Sequence, residues 1–179
     1  MKRRILMPVL GLLIWAILLA CSCSLPSMIG IGDYKLPTPT LTDCSQTFNS
    51  DLEAQVVALI NQARSSHGLS PLVLNDLLTG AARRHSTDMA CHDFVDDTGS
   101  DGATWHELMV EGGYLVKYGG IGVTGGYAND PAAVVQVWSQ QADGIVYDNI
   151  PTEIGVGVVS KDGTKYGVYW TLLYALPNR

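Results

Sequence analysis

The chain has 179 residues, 47% of them apolar and 16% charged, and a formal charge of −6. That is enough chain for one globular domain with a single core plus an export segment, and too apolar for a disordered one. The acidic balance argues against DNA or RNA as partners, because phosphate binding needs a basic face.

Lys2-Arg3-Arg4 forms a charged n-region, and Ile5 to Ala20 forms an apolar h-region. At about sixteen residues this stretch is shorter than the roughly 20 a bilayer span requires, so 1–20 is expected to be a signal peptide. Removing it takes away three cations and no acid, which leaves eight Lys and Arg against seventeen Asp and Glu, or −9. Leu18-Leu19-Ala20-Cys21 resembles a bacterial lipobox. By that resemblance Cys21 is lipidated after export and anchors the chain to a membrane. An uncleaved anchor and an ordinary secretory signal are the competing readings, and Cys23 offers a second, weaker register. Residues 21–48 are rich in Pro, Ser and Thr, which prevents helix and favours an extended tether. Met28 to Ile31 is apolar and able to pack back on the domain.

The folded domain is placed at 49–179. Ser50-x-x-Glu53 has the form of a capping box, followed by Leu52, Val56, Leu59, Ile60 and Ala63 at helical spacing, with His67-Gly68 as the stop. Pro71 and Asn75 punctuate before a second helix, whose face is Leu78, Ala81, Ala82, His85 and Met89. A third helix is expected over Ala103 to Glu111. Tyr114 to Val123 has strand character, and Asp130-Pro131 opens a fourth helix carrying Val134, Val137 and Trp138. Ile154 to Ser160 and Tyr166 to Ala175 complete a strand pair, with Asp162-Gly163 as a hairpin turn signal. This order describes an α+β layered domain.

Glu53-x-x-Val56-x-x-Leu59-Ile60-Asn61-Gln62-Ala63-Arg64, Ala81-Ala82-x-x-His85-x-x-Asp88-Met89-Ala90, Trp138 and Thr152-Glu153-Ile154-Gly155-Val156-Gly157-Val158 together resemble the CAP superfamily of cysteine-rich secretory, antigen 5 and pathogenesis-related proteins. The likeness is greatest to its small bacterial members and spans roughly Asp51 to Pro177. It implies a three-layer α-β-α sandwich, with about four helices around a small antiparallel sheet.

The family's cleft carries two His and two acidic residues. By resemblance their positions fall here on Asp97, Gly120, Gln141 and Gly144, so the polar set is absent and the cleft is expected to be a groove widened by lost side chains. No pair of His stands where a metal would need them, so neither metal nor cofactor is expected. His85 is expected to be a packed structural residue and His67 a helix cap. His92 with Asp93, Asp96 and Asp97 is a weak metal candidate. Asp97-x-x-x-Asp101-Gly102 fails the spacing of a calcium loop. Trp105-His106-Glu107 begins the third helix and has the option of facing the cleft. There is no Gly-x-Ser-x-Gly elbow, and the glycines from Gly119 to Gly126 lack a phosphate loop's Gly-Lys-Ser/Thr ending.

Cysteine use is consistent with export. With Cys21 acylated, Cys44 and Cys91 are the pair left inside the domain and are expected to form a disulfide, free thiols being the alternative. The functional expectation is a non-catalytic extracellular binding module whose partner is a protein, glycan or lipid. A lipid- or sterol-carrying domain and a hydrolase with a rebuilt site, using His85, His92, His106 or Asp97, are the alternatives.

Overall fold

A computed structural model describes residues 44, 46–141 and 144–179. The expected signal peptide, Cys21, Cys23 and the tether through residue 43 lie outside the described residues. The elements in chain order are β1 (Thr47–Phe48), α1 (Ser50–Ser66), β2 (Val73–Leu74), α2 (Asp76–His92), α3 (Trp105–Glu111), β3 (Val116–Gly125), α4 (Pro131–Gln140), a 3-10 turn (Ile145–Tyr147), β4 (Glu153–Ser160) and β5 (Val168–Pro177). The sheet therefore starts two residues ahead of the boundary expected at 49.

Local chemistry sets the helix ends. Asn49, not Ser50, caps α1, its side-chain oxygen accepting from Leu52 N at 3.1 Å. The expected capping box fails because Glu53 turns inward, as described below. At the other end Gly68, at φ +71°, takes the left-handed turn that closes the helix, and Leu69 N bonds back to Arg64 O. The capping box of this chain is on α3, where Thr104 and Glu107 satisfy each other's backbone N–H groups. That moves the start of α3 from the expected Ala103 to Trp105. Asp130 caps α4 through Ala133 N at 3.0 Å, with Pro131 as its first residue.

Strands β4, β5 and β3 form an antiparallel sheet, with Val156 opposite Leu172 and Gly122 opposite Leu172 on its other side. Two short patches line the outer edge of β4: β1 pairs antiparallel at Val159 and Ser160, and β2 pairs parallel at Glu153 and Ile154. The link between β4 and β5 is longer than a two-residue turn. Gly163 and Gly167 both take positive φ, and Lys161 N bonds Gly167 O.

The period-two alternation of the strands sorts side chains into two cores. Ile154, Val156 and Val158 of β4 and Trp170, Leu172 and Tyr174 of β5 pack with Val56 and Ile60 of α1 and with Val134, Val135 and Trp138 of α4. The opposite face packs Leu173 and Ala175 against Leu78, Ala81 and Ala82 of α2 and Met109 of α3. Farther along it, Val159 and Tyr169 meet Met89 and Ala90. The result is the α-β-α sandwich the sequence implied.

Close approach of α2 explains the Ile-Gly-Val-Gly-Val run. A Cβ on Gly155 would sit 2.6 Å from Leu78 Cβ, and one on Gly157 would sit 2.5 Å from the Ala82 carbonyl carbon. The small Ala82 and Ser86 face these glycines, and the Ser86 hydroxyl reaches Gly157 O at 3.0 Å and the Thr171 hydroxyl at 2.8 Å. A methyl at 157 must push helix backbone, not a flexible side chain. Gly157→Ala is expected to destabilise the domain by about 3 kcal/mol, read as a lower urea midpoint at constant slope.

Glu53 explains another part of the motif. β4 leaves a gap between β1 and β2, and there Glu53 Oε1 accepts from Val158 N at 3.3 Å. The same carboxylate takes a forked contact from Arg83 of α2, with Nε to Oε1 at 2.8 Å and Nη2 to Oε2 at 2.5 Å. One buried acid thus satisfies an open strand edge and links the two helical layers around it.

Cys44 and Cys91 are joined by a disulfide with Cα atoms 5.7 Å apart and a separation of 47 positions in sequence. Among the described residues no helix is long and apolar enough to cross a membrane.

Candidate functional site

Three glycines of β3, Gly120, Gly122 and Gly125, lie against rings, whereas Gly119 lies against the Tyr174 and Ala175 backbone. A Cβ on Gly120 would meet Cζ of Tyr174, its cross-strand partner, at 2.6 Å. On Gly122 it would lie 3.1 Å from Ile145 Cδ1 and 3.2 Å from Trp138 Nε1, and on Gly125 it would lie 2.6 Å from Tyr166 Cγ. The groove expected from lost side chains is therefore filled at its floor. At Gly120, Gly122 and Gly125 the missing side chain leaves room for a larger one from β5, α4 or the β4–β5 link.

The four positions that the resemblance assigns to the cleft lie on different elements. Gly120 and Gly122 face the α1/α4 layer, where Gly122 meets the 3-10 turn that follows Gly144. Gln141 ends α4, and Gly144, at φ +58°, begins that turn. Asp97 lies in the exposed loop after α2 and accepts from the neighbouring Thr98 hydroxyl at 3.3 Å. Val95, two residues before it, packs on the opposite face of the sheet, near Gly125 and Tyr166.

The remaining polar candidates are held in structural roles. His85 is buried, and its Nε2 lies 2.9 Å from Asp96 O, which requires the tautomer with the proton on Nε2. Burial pushes its pKa below the usual histidine value, against the pull of Asp96 O and the carboxylates of Asp88, Asp96 and Asp97, so the ring is neutral at pH 7. His67 caps α1 through Ala63 O at 2.9 Å and rests against the Tyr147 ring. His92 pairs with Asp88 one turn earlier at 2.8 Å, while Asp88 also accepts from Ser100 N and Oγ. Asp93 accepts from Tyr169 Oη at 2.5 Å and Lys165 N at 2.8 Å, bonds that hold its pKa below the ordinary carboxylate range. Asp96 accepts from Thr98 N and Asp101 from Ala103 N. His106 is exposed beside Trp105. Asp96 and Asp101 are directed at their own turns, Asp88 at His92 and Ser100, and Asp93 at the β4–β5 link and β5. Among the described residues no three His, Cys, Asp or Glu come together as metal ligands.

Two side chains of the first motif have roles that spacing alone does not assign. Asn61 brackets Leu72, accepting from its N at 2.8 Å and donating to its O at 3.0 Å, which positions β2. Arg64 is 1% exposed, and its guanidinium donates to Ser70 O at 2.9 Å, Val146 O at 3.0 Å and Asp148 O at 2.6 Å. Burial lowers its pKa, with the Asp148 carboxylate acting the other way. The motif signals a buried cation that gathers loop carbonyls behind the 3-10 turn.

Comparison with known proteins follows the same lines. The model of the CAP cysteine-rich secretory protein family matches residues 57–174. The YkwD protein of Bacillus subtilis (strain 168) is 30% identical over 125 residues, which are 68% of this chain and 46% of that protein. The chain thus spans under half the length of that relative. Among solved structures, an outer surface protein of Borrelia burgdorferi is similar with a TM-score of 0.67 at 12% identity, over 75% of this chain and 98% of that one. An extracellular SCP-domain protein of Bacillus anthracis str. Ames gives 0.61 at 20% identity, over 70% of this chain and 40% of that one. The matched span covers the Asn61 and Arg64 positions, the α2 face, the filled β3 floor and the glycines of β4, and on that footing the chain belongs to the CAP cysteine-rich secretory protein family.

Proposed function

We propose that this protein is an exported CAP domain, anchored to a membrane through lipid on Cys21, that acts as a non-catalytic binding module outside the cytoplasm. The reading rests on the sequence resemblance, which sets Asp97, Gly120, Gln141 and Gly144 against the family's two His and two acidic residues. The Tyr174 ring over Gly120 supports it, because a longer acid there would have no room. The Cys44–Cys91 bridge supports export to an oxidising compartment. The partner class is a protein, glycan or lipid at the cell surface.

The lipid-carrying alternative asks for an apolar cavity, whereas Tyr174 and Trp138 lie against Gly120 and Gly122 on the face where such space was expected. Mass spectrometry of the purified chain is expected to show no co-purifying lipid beyond the anchor. The full chain is expected to show neither saturable zinc or calcium binding at micromolar concentration nor peptide hydrolysis. Metal binding at that level, or turnover that disappears in Asp97→Ala or His106→Ala, would overturn the reading.

A further inference from the structure

At the end of the sheet where β2, β4 and β5 meet, a depression with a volume of ≈ 470 Å³ opens beside Glu153. Glu153 and Arg179 are both among the residues that line it. Asn75, the cap of α2, fixes one carboxylate oxygen of Glu153 through Nδ2 to Oε2 at 2.9 Å, and Arg179 reaches the other through Nη2 to Oε1 at 2.9 Å. The two partners of that ion pair differ sharply in burial. The Glu153 side chain is 10% exposed and that of Arg179 is 82% exposed. The acid is thus nearly buried while its cation lies almost wholly in water, so little packing holds the guanidinium in place. Tyr114 stands at the back of the carboxylate. Burial first, then hydrogen-bonding interaction with the Glu153 carboxylate and its charge, push its phenol well above the ordinary value, so it stays a neutral hydroxyl and adds no competing charge. Val73, Leu176 and Pro177 supply apolar wall, and Lys117 lies on the rim.

We propose that this depression is a binding site for a guanidinium or primary ammonium carried on an apolar stem, and that Arg179 occupies the cation position in its absence. The ligand's cation takes Glu153 Oε1, its stem lies along Val73, Leu176 and Pro177, and its far end is neutral or anionic because Lys117 repels a second positive charge. The same chemistry is offered by a free basic amino-acid derivative and by an arginine or lysine side chain of a polypeptide. This site lies apart from the family cleft positions, so it stands or falls independently of the function proposed above.

Calorimetric titration of the full oxidised chain tests it, with acetyl-arginine as the small-molecule arm and a blocked Ala-Arg-Ala tripeptide as the polypeptide arm. Saturable binding is expected, tighter for whichever source the site serves. Glu153→Gln is expected to weaken it at least about tenfold, the loss of a charge-assisted hydrogen bond. Arg179→Ala is expected to tighten it about threefold, because the internal competitor is gone. Binding that is unchanged in Glu153→Gln, weakened in Arg179→Ala, or absent from both the parent chain and Arg179→Ala would overturn the proposal.

Discussion

Arg64→Ala is expected to lower the unfolding free energy by about 4–5 kcal/mol, a loss at the upper end of what one side-chain truncation produces. The guanidinium satisfies three backbone carbonyls on two different segments, Ser70 ahead of β2 and Val146 and Asp148 around the 3-10 turn. Truncation leaves those acceptors without a donor and opens a void beneath a residue that is 1% exposed. Lysine is a poor substitute, since a single ammonium cannot reproduce the planar fork that reaches both segments. Arg64→Lys is therefore expected to recover only a minor share of the loss. Urea titration followed by tryptophan fluorescence reads both variants. A loss below about 1 kcal/mol would mean that water replaces the guanidinium at these carbonyls, and that Arg64 does not organise the loops.

Reduction of the Cys44–Cys91 bridge, or its replacement by two alanines, is expected to cost about 4 kcal/mol through the entropy regained by the unfolded chain. The size follows from the 47-position separation of the two cysteines. The native fold is expected to survive, because neither cysteine belongs to a buried apolar cluster. Unfolding curves of the oxidised and reduced protein, compared at equal slope, measure the difference. Coincident midpoints would show that the bridge constrains nothing the unfolded chain would otherwise explore.

The helices are legible in the sequence because their punctuation is chemical: Asn75, Asp130-Pro131 and His67-Gly68 stop or start a chain by hydrogen bonding and backbone conformation alone. Glu53 defeats the same kind of rule. A carboxylate three residues after a serine satisfies the local pattern for a cap, and only the gap on the edge of β4, 105 positions away in sequence, draws it inward. The β3 glycines show the same limit at the site. Their spacing announces missing side chains, but the rings at Gly120, Gly122 and Gly125 come from β5, α4 and the β4–β5 link, brought there by cross-strand register for Tyr174 and by tertiary packing for Trp138 and Tyr166. The pairing of Cys44 with Cys91 is accessible from sequence because few cysteines are left to choose from. Arg179 over Glu153 is not, since an exposed arginine carries no periodic signal.

The covalent bridge has a mechanical consequence. A pull applied through the residues ahead of Cys44 reaches the domain at a point already bonded to the last turn of α2. Tension would enter a seventeen-residue helix seated on the sheet, and the two-residue strand β1 would be spared from peeling away first. Load that arrives at Cys44 is, by this route, carried by the helix with the most extensive packing on the sheet.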